Sequence, residues 1–437
     1  MALPLAVIVS DVHLGDPSGV VSPFPRSGYA DLGGVRVRRD WLDWMAQVDA
    51  RLAAEGAGAR IPHLVINGDF WDVSIRNMDE VAALSLAFFD AAEVERRFEQ
   101  ILFLPGNHDH VLWSWVQMQT TVIRPLEKLK GAPAVPGGSV VFPMPHAACA
   151  VLDLRGATPA FAIQGVQGPY TGDVFVSGLT RGRIPVNVAY PALHVLRGDG
   201  TALLVTHGHF FQLAWTLLSE VLGPALDPPL PGGLDFYYLE LLNASLTDFL
   251  NFALGQVGPL SGTLQRMYDQ IRAGHEPPEV KRIMDAIRDL MDRALDFKAE
   301  PRWKAGLQEW GSDRLLDFQL YLLKRVVGLA LRRSEAGWVM PTVRGEGAFL
   351  EDPRNAARLD AFMACAAKDD SLRGFRVDDL VFGHTHQSLA GRPLTLPSGR
   401  RLRCWNTGSL VCAGEGCDFQ PVTLDRAGRV AAMAPAP

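Results

Sequence analysis

The chain has 437 residues, 48% hydrophobic and 21% charged, with a formal net charge of -6. That length buries a large core and admits two or three domains, while the mildly acidic balance argues against a general nucleic-acid surface. Five scattered cysteines, odd in number and without a Cys-x-x-Cys pair, argue against a disulfide framework and for reduced thiols in the cytosol.

Taken in order, residues 3–9 form an apolar start that runs straight into Asp11, with no basic lead or small-residue cleavage site, so it reads as a first strand and not a signal peptide. The strand ends at Ser10-Asp11-Val12-His13-Leu14-Gly15. Residues 16–37 are rich in Pro and Gly and read as loop. Residues 38–54 read as an amphipathic helix, with Trp41, Trp44, Met45 and Val48 at helical spacing. A second strand, 63–66, leads to Asn67-Gly68-Asp69-Phe70-Trp71-Asp72. A helix-like run, 78–100, precedes a third strand, which ends in Gly106-Asn107-His108-Asp109.

From 111 to 200 short apolar segments (139–142, 148–154 and 174–177) alternate with turns and predict further strands. The run 202–205 is a clear strand ending in Thr206-His207-Gly208-His209. Between Arg197 and Arg266 there is no Lys or Arg, and aromatic residues abound; from 266 to 333 the chain is highly charged and helical in pattern. Residues 210–375 therefore read as a mostly helical insertion. Its apolar first half is read as internal core, or more pointedly as a lid for a lipid-like substrate or membrane surface. The strand pattern resumes at 379–382, ending in Gly383-His384-Thr385-His386, and again at 401–405 before Asn406-Thr407-Gly408. No window of about 20 residues is free of charge and turn-formers, so a spanning helix is not expected.

Five strand ends thus carry oxygen or imidazole donors: Asp11, His13, Asp69, Asn107, His108, His207, His384 and His386. In α/β sheets these ends are where sites are built. Two divalent ions need about seven protein ligands, one of them bridging, and a set without cysteine suits manganese, iron or zinc. Cys412 and Cys417 are read as small structural residues and not as a metal pair.

The ordered blocks Asp11-x-His13, Gly68-Asp69-x-x-Asp72, Gly106-Asn107-His108-Asp109, His207 and Gly383-His384-x-His386 resemble the calcineurin-like metallophosphoesterase family. The resemblance covers about 1–110, 200–209 and 379–410. It implies a four-layer αββα sandwich formed by 1–209 and 376–437, with 210–375 as a helical cap or lid. It also implies two divalent ions, manganese first, with iron, zinc and magnesium as alternatives. Asp11, His13 and His386 would hold one ion, Asn107, His207 and His384 the other, and Asp69 would bridge. His108 would face the leaving group with Asp109 orienting it, and His209 would contact phosphate or support the site from behind. Asp72 is read as support for its loop, and His63, His110, His146, His194 and His275 as ordinary histidines.

The activity implied is hydrolysis of a phosphomonoester, phosphodiester or pyrophosphate by a hydroxide held between the metals, on a small substrate of which lipid- and nucleotide-linked phosphates are the candidates. Within the superfamily, the opening blocks are also similar to those of an acyl-sugar nucleotide pyrophosphatase branch and of repair nucleases. A nuclease or protein phosphatase is the alternative activity, and a non-catalytic scaffold of the same fold the alternative class. The expected setting is cytoplasmic or peripheral to a membrane.

Overall fold

The apolar runs ahead of the donor residues become strands and divide between two sheets. The computed structural model describes residues 3–16, 18–22, 29–32, 35–119, 147–164, 174–223, 230, 232–253, 348–411 and 417–433. The expected strand at 139–142, the charged helices of 266–333, His146, His275 and Cys412 lie outside the described residues.

In chain order the strands are β1 (Ala6–Val9), β2 (Val21–Ser22), β3 (Tyr29–Leu32), β4 (Val35–Arg38), β5 (Ile61–Ile66), β6 (Phe98–Phe103), β7 (Ala150–Asp153), β8 (Ala160–Ile163), β9 (Val186–Val188), β10 (Ala192–Leu196), β11 (Thr201–Thr206), β12 (Arg376–Phe382), β13 (Ser388–Thr395), β14 (Arg401–Thr407), β15 (Val422–Leu424) and β16 (Val430–Ala432). Six of them form a sheet in the order β16-β15-β1-β5-β6-β9, and seven form a second, β13-β14-β12-β11-β10-β7-β8. β1, β5, β6 and β9 run parallel, as do β11, β12 and β14. Parallel strands are covered on both faces, which explains why β1 and the second half of β6 read as unbroken apolar runs.

Side chains of both sheets feed one hydrophobic core, from Val7 and Leu64 to Leu203 and Val381. Against the first sheet, the helix Arg39–Glu55 buries Trp41, Trp44, Met45 and Val48, and the helix Met78–Ala92 buries Phe88 and Phe89. Against the second, Phe362 of the helix Pro353–Ala366 meets Phe211, which in turn meets Phe382 at the end of β12. The layers run helix, sheet, sheet, helix.

Three local expectations are corrected. Residues 16–37 are not simply loop: β2, β4 and β3 pair antiparallel into a small third sheet. The alternation Val35-Arg36-Val37-Arg38 carries the period-2 signal that the surrounding Pro and Gly obscured. The helix-like run 78–100 ends early, because Glu93 turns left-handed (φ 42°) and the chain becomes strand at Phe98. The run at 174–177, expected as strand, begins the helix Val174–Leu179; so short an apolar run does not distinguish the two. Within 210–375 the described elements are helical, including Leu213–Leu222 and Phe236–Asp248. Phe210, Phe211 and Phe236 enter the main core, while Tyr237, Leu241 and Phe249 are exposed.

Candidate metal centre

Each donor sits just past the C-terminal end of a parallel strand: Asp11 and His13 after β1, Asp69 after β5, Asn107 and His108 after β6, His207 after β11, and His384 and His386 after β12. Backbone bonds stitch these loops together. Asp11 N–H donates to Gly68 O at 3.0 Å and His13 N–H to Asp69 O at 2.9 Å, while Gly383 N–H donates to His207 O at 2.9 Å. Across the sheets, Asn67 Nδ2 donates to Thr206 O at 2.9 Å.

The loops are tight enough to strain the chain. Asp11, His13, Asp69, His384 and His386 all have positive φ, from 50° to 69°. A non-glycine residue in that region costs of order 1–3 kcal/mol, and such costs cluster at functional sites. Two glycines are required by close approach. A Cβ on Gly68 (φ +83°) would stand 2.4 Å from His207 Nδ1, and one on Gly383 2.4 Å from Asp11 Oδ2.

The side chains converge. Asp11, His13 and His386 each place a donor atom within 4.8 Å of the others; so do Asp69, His207 and His384, and so do His13, Asp72 and His108. Asn107 joins the second group, its Oδ1 3.2 Å from His207 Nε2. Asp69 Oδ2 lies 3.2 Å from His207 Nε2 and 3.8 Å from His13 Nε2, between the first two groups.

Hydrogen bonds fix which nitrogens face inward. His207 Nδ1 donates to the Asn67 carbonyl at 3.0 Å, turning Nε2 toward the oxygens of Asp69 and Asn107. His13 Nδ1 meets Asp72 Oδ2 at 3.1 Å, turning Nε2 toward His386 Nε2 at 3.2 Å. His384 Nε2 meets the Gln212 side-chain oxygen at 2.8 Å, leaving Nδ1 with its lone pair. A nitrogen lone pair facing acceptors across about 3.2 Å is repulsive unless a proton or cation lies between. Donors held about 2.1 Å from one ion stand roughly 3.0–3.4 Å apart, so the set fits a metal.

The carboxylates and imidazoles also shift one another's pKa. Burial alone would raise the Asp11 and Asp69 carboxyls. Hydrogen bonds from His13 and His386, with the field of His207, hold Asp11 well below its usual range; His207 and His108 do the same for Asp69. Burial opposes the His207 imidazolium, yet Asp69 lifts it to about 9. His384 goes the other way, pushed down to about 3 by burial and by His207.

Three expectations about roles are corrected. Asp109 does not orient His108. Its carboxylate accepts backbone N–H groups of Gly106 at 2.6 Å and Phe70 at 2.7 Å, clamping two donor loops together. Burial and Asp69 push it up to about 6. Asp72 takes the orienting role, its Oδ1 2.9 Å from His108 Nδ1 while Oδ2 holds His13. Adjacent residues on a tight loop point apart, so the partner of His108 comes from another loop. Of the two readings of His209, phosphate contact is the one corrected and support from behind is the one the geometry fits: it is buried, its Nε2 3.0 Å from the Tyr190 hydroxyl and its ring against Phe210. Burial and then His207 hold it well below the ordinary histidine range.

His110, read as ordinary, is held between two carboxylates of the helix Phe236–Asp248. Nε2 meets Glu240 at 2.9 Å and Nδ1 meets Asp248 at 2.7 Å. Burial opposes the charged ring, but Glu240 and Asp248 raise it to about 10. Gln212 was also missed; a lone glutamine before an apolar helix carries no local signal.

No protein-family model and no curated protein matches the chain. Among solved structures, the crystal structure of a dimetal phosphatase from Danio rerio is similar over 97% of this chain and 93% of that one, at 11% identity and a TM-score of 0.29, too slight a likeness to argue from.

Proposed function

We propose that this protein is a dinuclear metal-dependent phosphoesterase that hydrolyses a phosphate ester or pyrophosphate bond. The observation that carries the reading is the position of Asp69 Oδ2, within 4 Å of ring nitrogens from both donor groups, where a bridging carboxylate belongs. Asp11, His13 and His386 would hold one ion, and Asn107, His207 and His384 the other. When bound, a pair of divalent cations neutralises phosphoryl oxygens and acidifies water; manganese, iron and zinc suit these donors.

The protein's own groups supply the rest. His108 is the general acid, its proton held by Asp72: burial opposes the charged form, but the Asp72 and Asp69 carboxylates raise its pKa. Asp109 holds the Gly68–Asp69 and Gly106–Asn107 turns at fixed separation through their amides. Gln212 and the Asn67 carbonyl fix the rings of His384 and His207.

The test is hydrolysis of bis-p-nitrophenyl phosphate and of a mono- and pyrophosphate panel by protein loaded with each metal in turn. Asp69→Ala should lose both metal content and turnover. His108→Ala should keep its metals and lose roughly 10²–10⁴ in kcat, the usual size of a general-acid contribution. Full metal content in Asp69→Ala would refute the bridging assignment, and a metal-loaded wild type inert on every substrate would refute the activity.

A second reading concerns the substrate. Tyr237, Leu241 and Phe249 (54% exposed) form an apolar stripe on and just past the helix that holds His110. This supports a phosphate-containing substrate with an apolar moiety, or contact with a lipid surface. Unchanged KM for an acylated phosphodiester in Leu241→Ser/Phe249→Ser would remove it.

A further inference from the structure

A second set of ligand-type side chains lies within the seven-stranded sheet. Cys149 directly precedes β7, His194 lies within β10, and Asp369 stands just before the 3-10 turn Asp370–Leu372 that leads into β12. β7 and β10 are neighbours, with His194 opposite Val151. The Cys149 sulfur, a ring nitrogen of His194 and a carboxylate oxygen of Asp369 all lie within 4.8 Å of one another.

Two of the three groups are buried, and the Asp369 side chain is 14% exposed. Cys149 is 1% exposed and His194 0%. Cys149 is a free thiol. His194 Nδ1 meets Ser371 Oγ at 2.7 Å and lies 3.7 Å from Asp369 Oδ1, and its Nε2 is buried with no hydrogen-bond partner. A buried polar nitrogen left without a partner is unusual and calls for a reason. Asp369 Oδ1 accepts from Gln164 Nε2 at 2.7 Å, from Ser371 N–H at 2.9 Å and from Ser371 Oγ at 2.7 Å. Those bonds aim the carboxylate.

We propose that Cys149, His194 and Asp369 form a mononuclear divalent-metal site, with zinc the favoured ion, separate from the Asp11–His386 centre. Thiolate and imidazole are donors that suit zinc, and a carboxylate completes a common mixed set. The charges close: one thiolate and one carboxylate balance one dication around a neutral imidazole, leaving a neutral cluster. On loading, the S–H bond of Cys149 breaks, its proton leaves to solvent and a sulfur–metal bond forms, with no change in oxidation state. The ion would tie β7 and β10 to the point where the chain re-enters β12. This assignment does not depend on the activity proposed above.

Cobalt(II) tests it. Full-length protein is stripped with chelator and reloaded, and near-ultraviolet sulfur-to-cobalt charge transfer is recorded. The Asp, His and Asn donors of the other centre contain no sulfur and cannot produce that band. The band should saturate with about one equivalent of cobalt per chain. It should vanish in Cys149→Ala and persist in Cys404→Ala, a control at a buried cysteine in β14. Zinc bound by the purified protein should fall by one ion per chain in Cys149→Ala. If that variant does not fold, His194→Gln and Asp369→Asn retain the thiol and should shift or weaken the band. A wild-type spectrum without the band, a band surviving Cys149→Ala, or a band unchanged in both retaining variants overturns the proposal.

Discussion

Asp72 binds two imidazoles with one carboxylate, His13 through Oδ2 and His108 through Oδ1. Burial would raise its own pKa, but His108 and His13 hold it well below the usual range, so it stays ionised wherever the protein works. Asp72→Asn should lower metal affinity or turnover by roughly 10–100-fold, the usual effect of removing a partner behind a ligand. It should also move the alkaline limb of the rate profile to lower pH, because the His108 imidazolium loses the charge that raises its pKa. A fall in rate with an unmoved limb would mean that Asp72 acts on structure alone. Gly68→Ala tests the geometry differently. The added methyl meets His207 at 2.4 Å in a backbone region that alanine avoids, so stability should drop by about 1–3 kcal/mol and metal content should fall, by denaturation and elemental analysis. At this scale the sequence showed which residues could be donors, because each follows an apolar run. It did not show who holds whom: the resemblance implied Asp109 as the partner of His108, while the residue that holds it, Asp72, lies 36 positions away.

At the scale of elements, the helix Phe236–Asp248 is fastened to the loop after β6 by His110. Glu240 is buried and Asp248 half-buried, so the imidazolium is desolvated and paired on both sides. The folded pKa of about 10 lies above the ordinary value of 6.5, so the native state binds a proton that the unfolded chain releases. The stability this contributes is full below about pH 6.5 and is lost as pH rises through about 10, at up to about 1.4 kcal/mol per pH unit between. Urea denaturation across that window should show the decline, and Glu240→Gln should flatten it; an identical slope in the variant would remove Glu240 as the cause. Nothing in the sequence marked His110, since a histidine after a loop acquires meaning only when a helix 130 positions later brings carboxylates to it. The small sheet β2-β4-β3 was missed for a related reason: its alternation is short and sits among Pro and Gly, where local turn chemistry dominates the pattern.

For the whole molecule, the donors divide between the sheets: β1, β5 and β6 belong to one, β11 and β12 to the other. An ion shared by His13 and His386, or by Asp69 and His207, therefore crosslinks the two layers. Metal at a hundredfold excess over its Kd should stabilise the native state by about 2.7 kcal/mol per site, and a chelator should lower Tm reversibly. A Tm indifferent to chelator and to added manganese would count against a site spanning both sheets. The two-sheet architecture was expected from the family resemblance; the parallel strands themselves were legible because they are apolar and end in chemistry. The pairing of β1 with β15 was not, since Ala6 meets Leu424 with almost the whole chain between them and no local signal encodes that register.

That pairing has a consequence for synthesis. On a translating ribosome β1 emerges before its partners and gains β5 on one flank early, while its other flank stays open until Leu424 has been made. Asp11 and His13 likewise wait for His386, the last of their set to be polymerised. The nascent chain thus carries an exposed apolar edge and half an ion cage for most of its elongation, and a stall before β15 would leave a species prone to self-association and unable to retain metal.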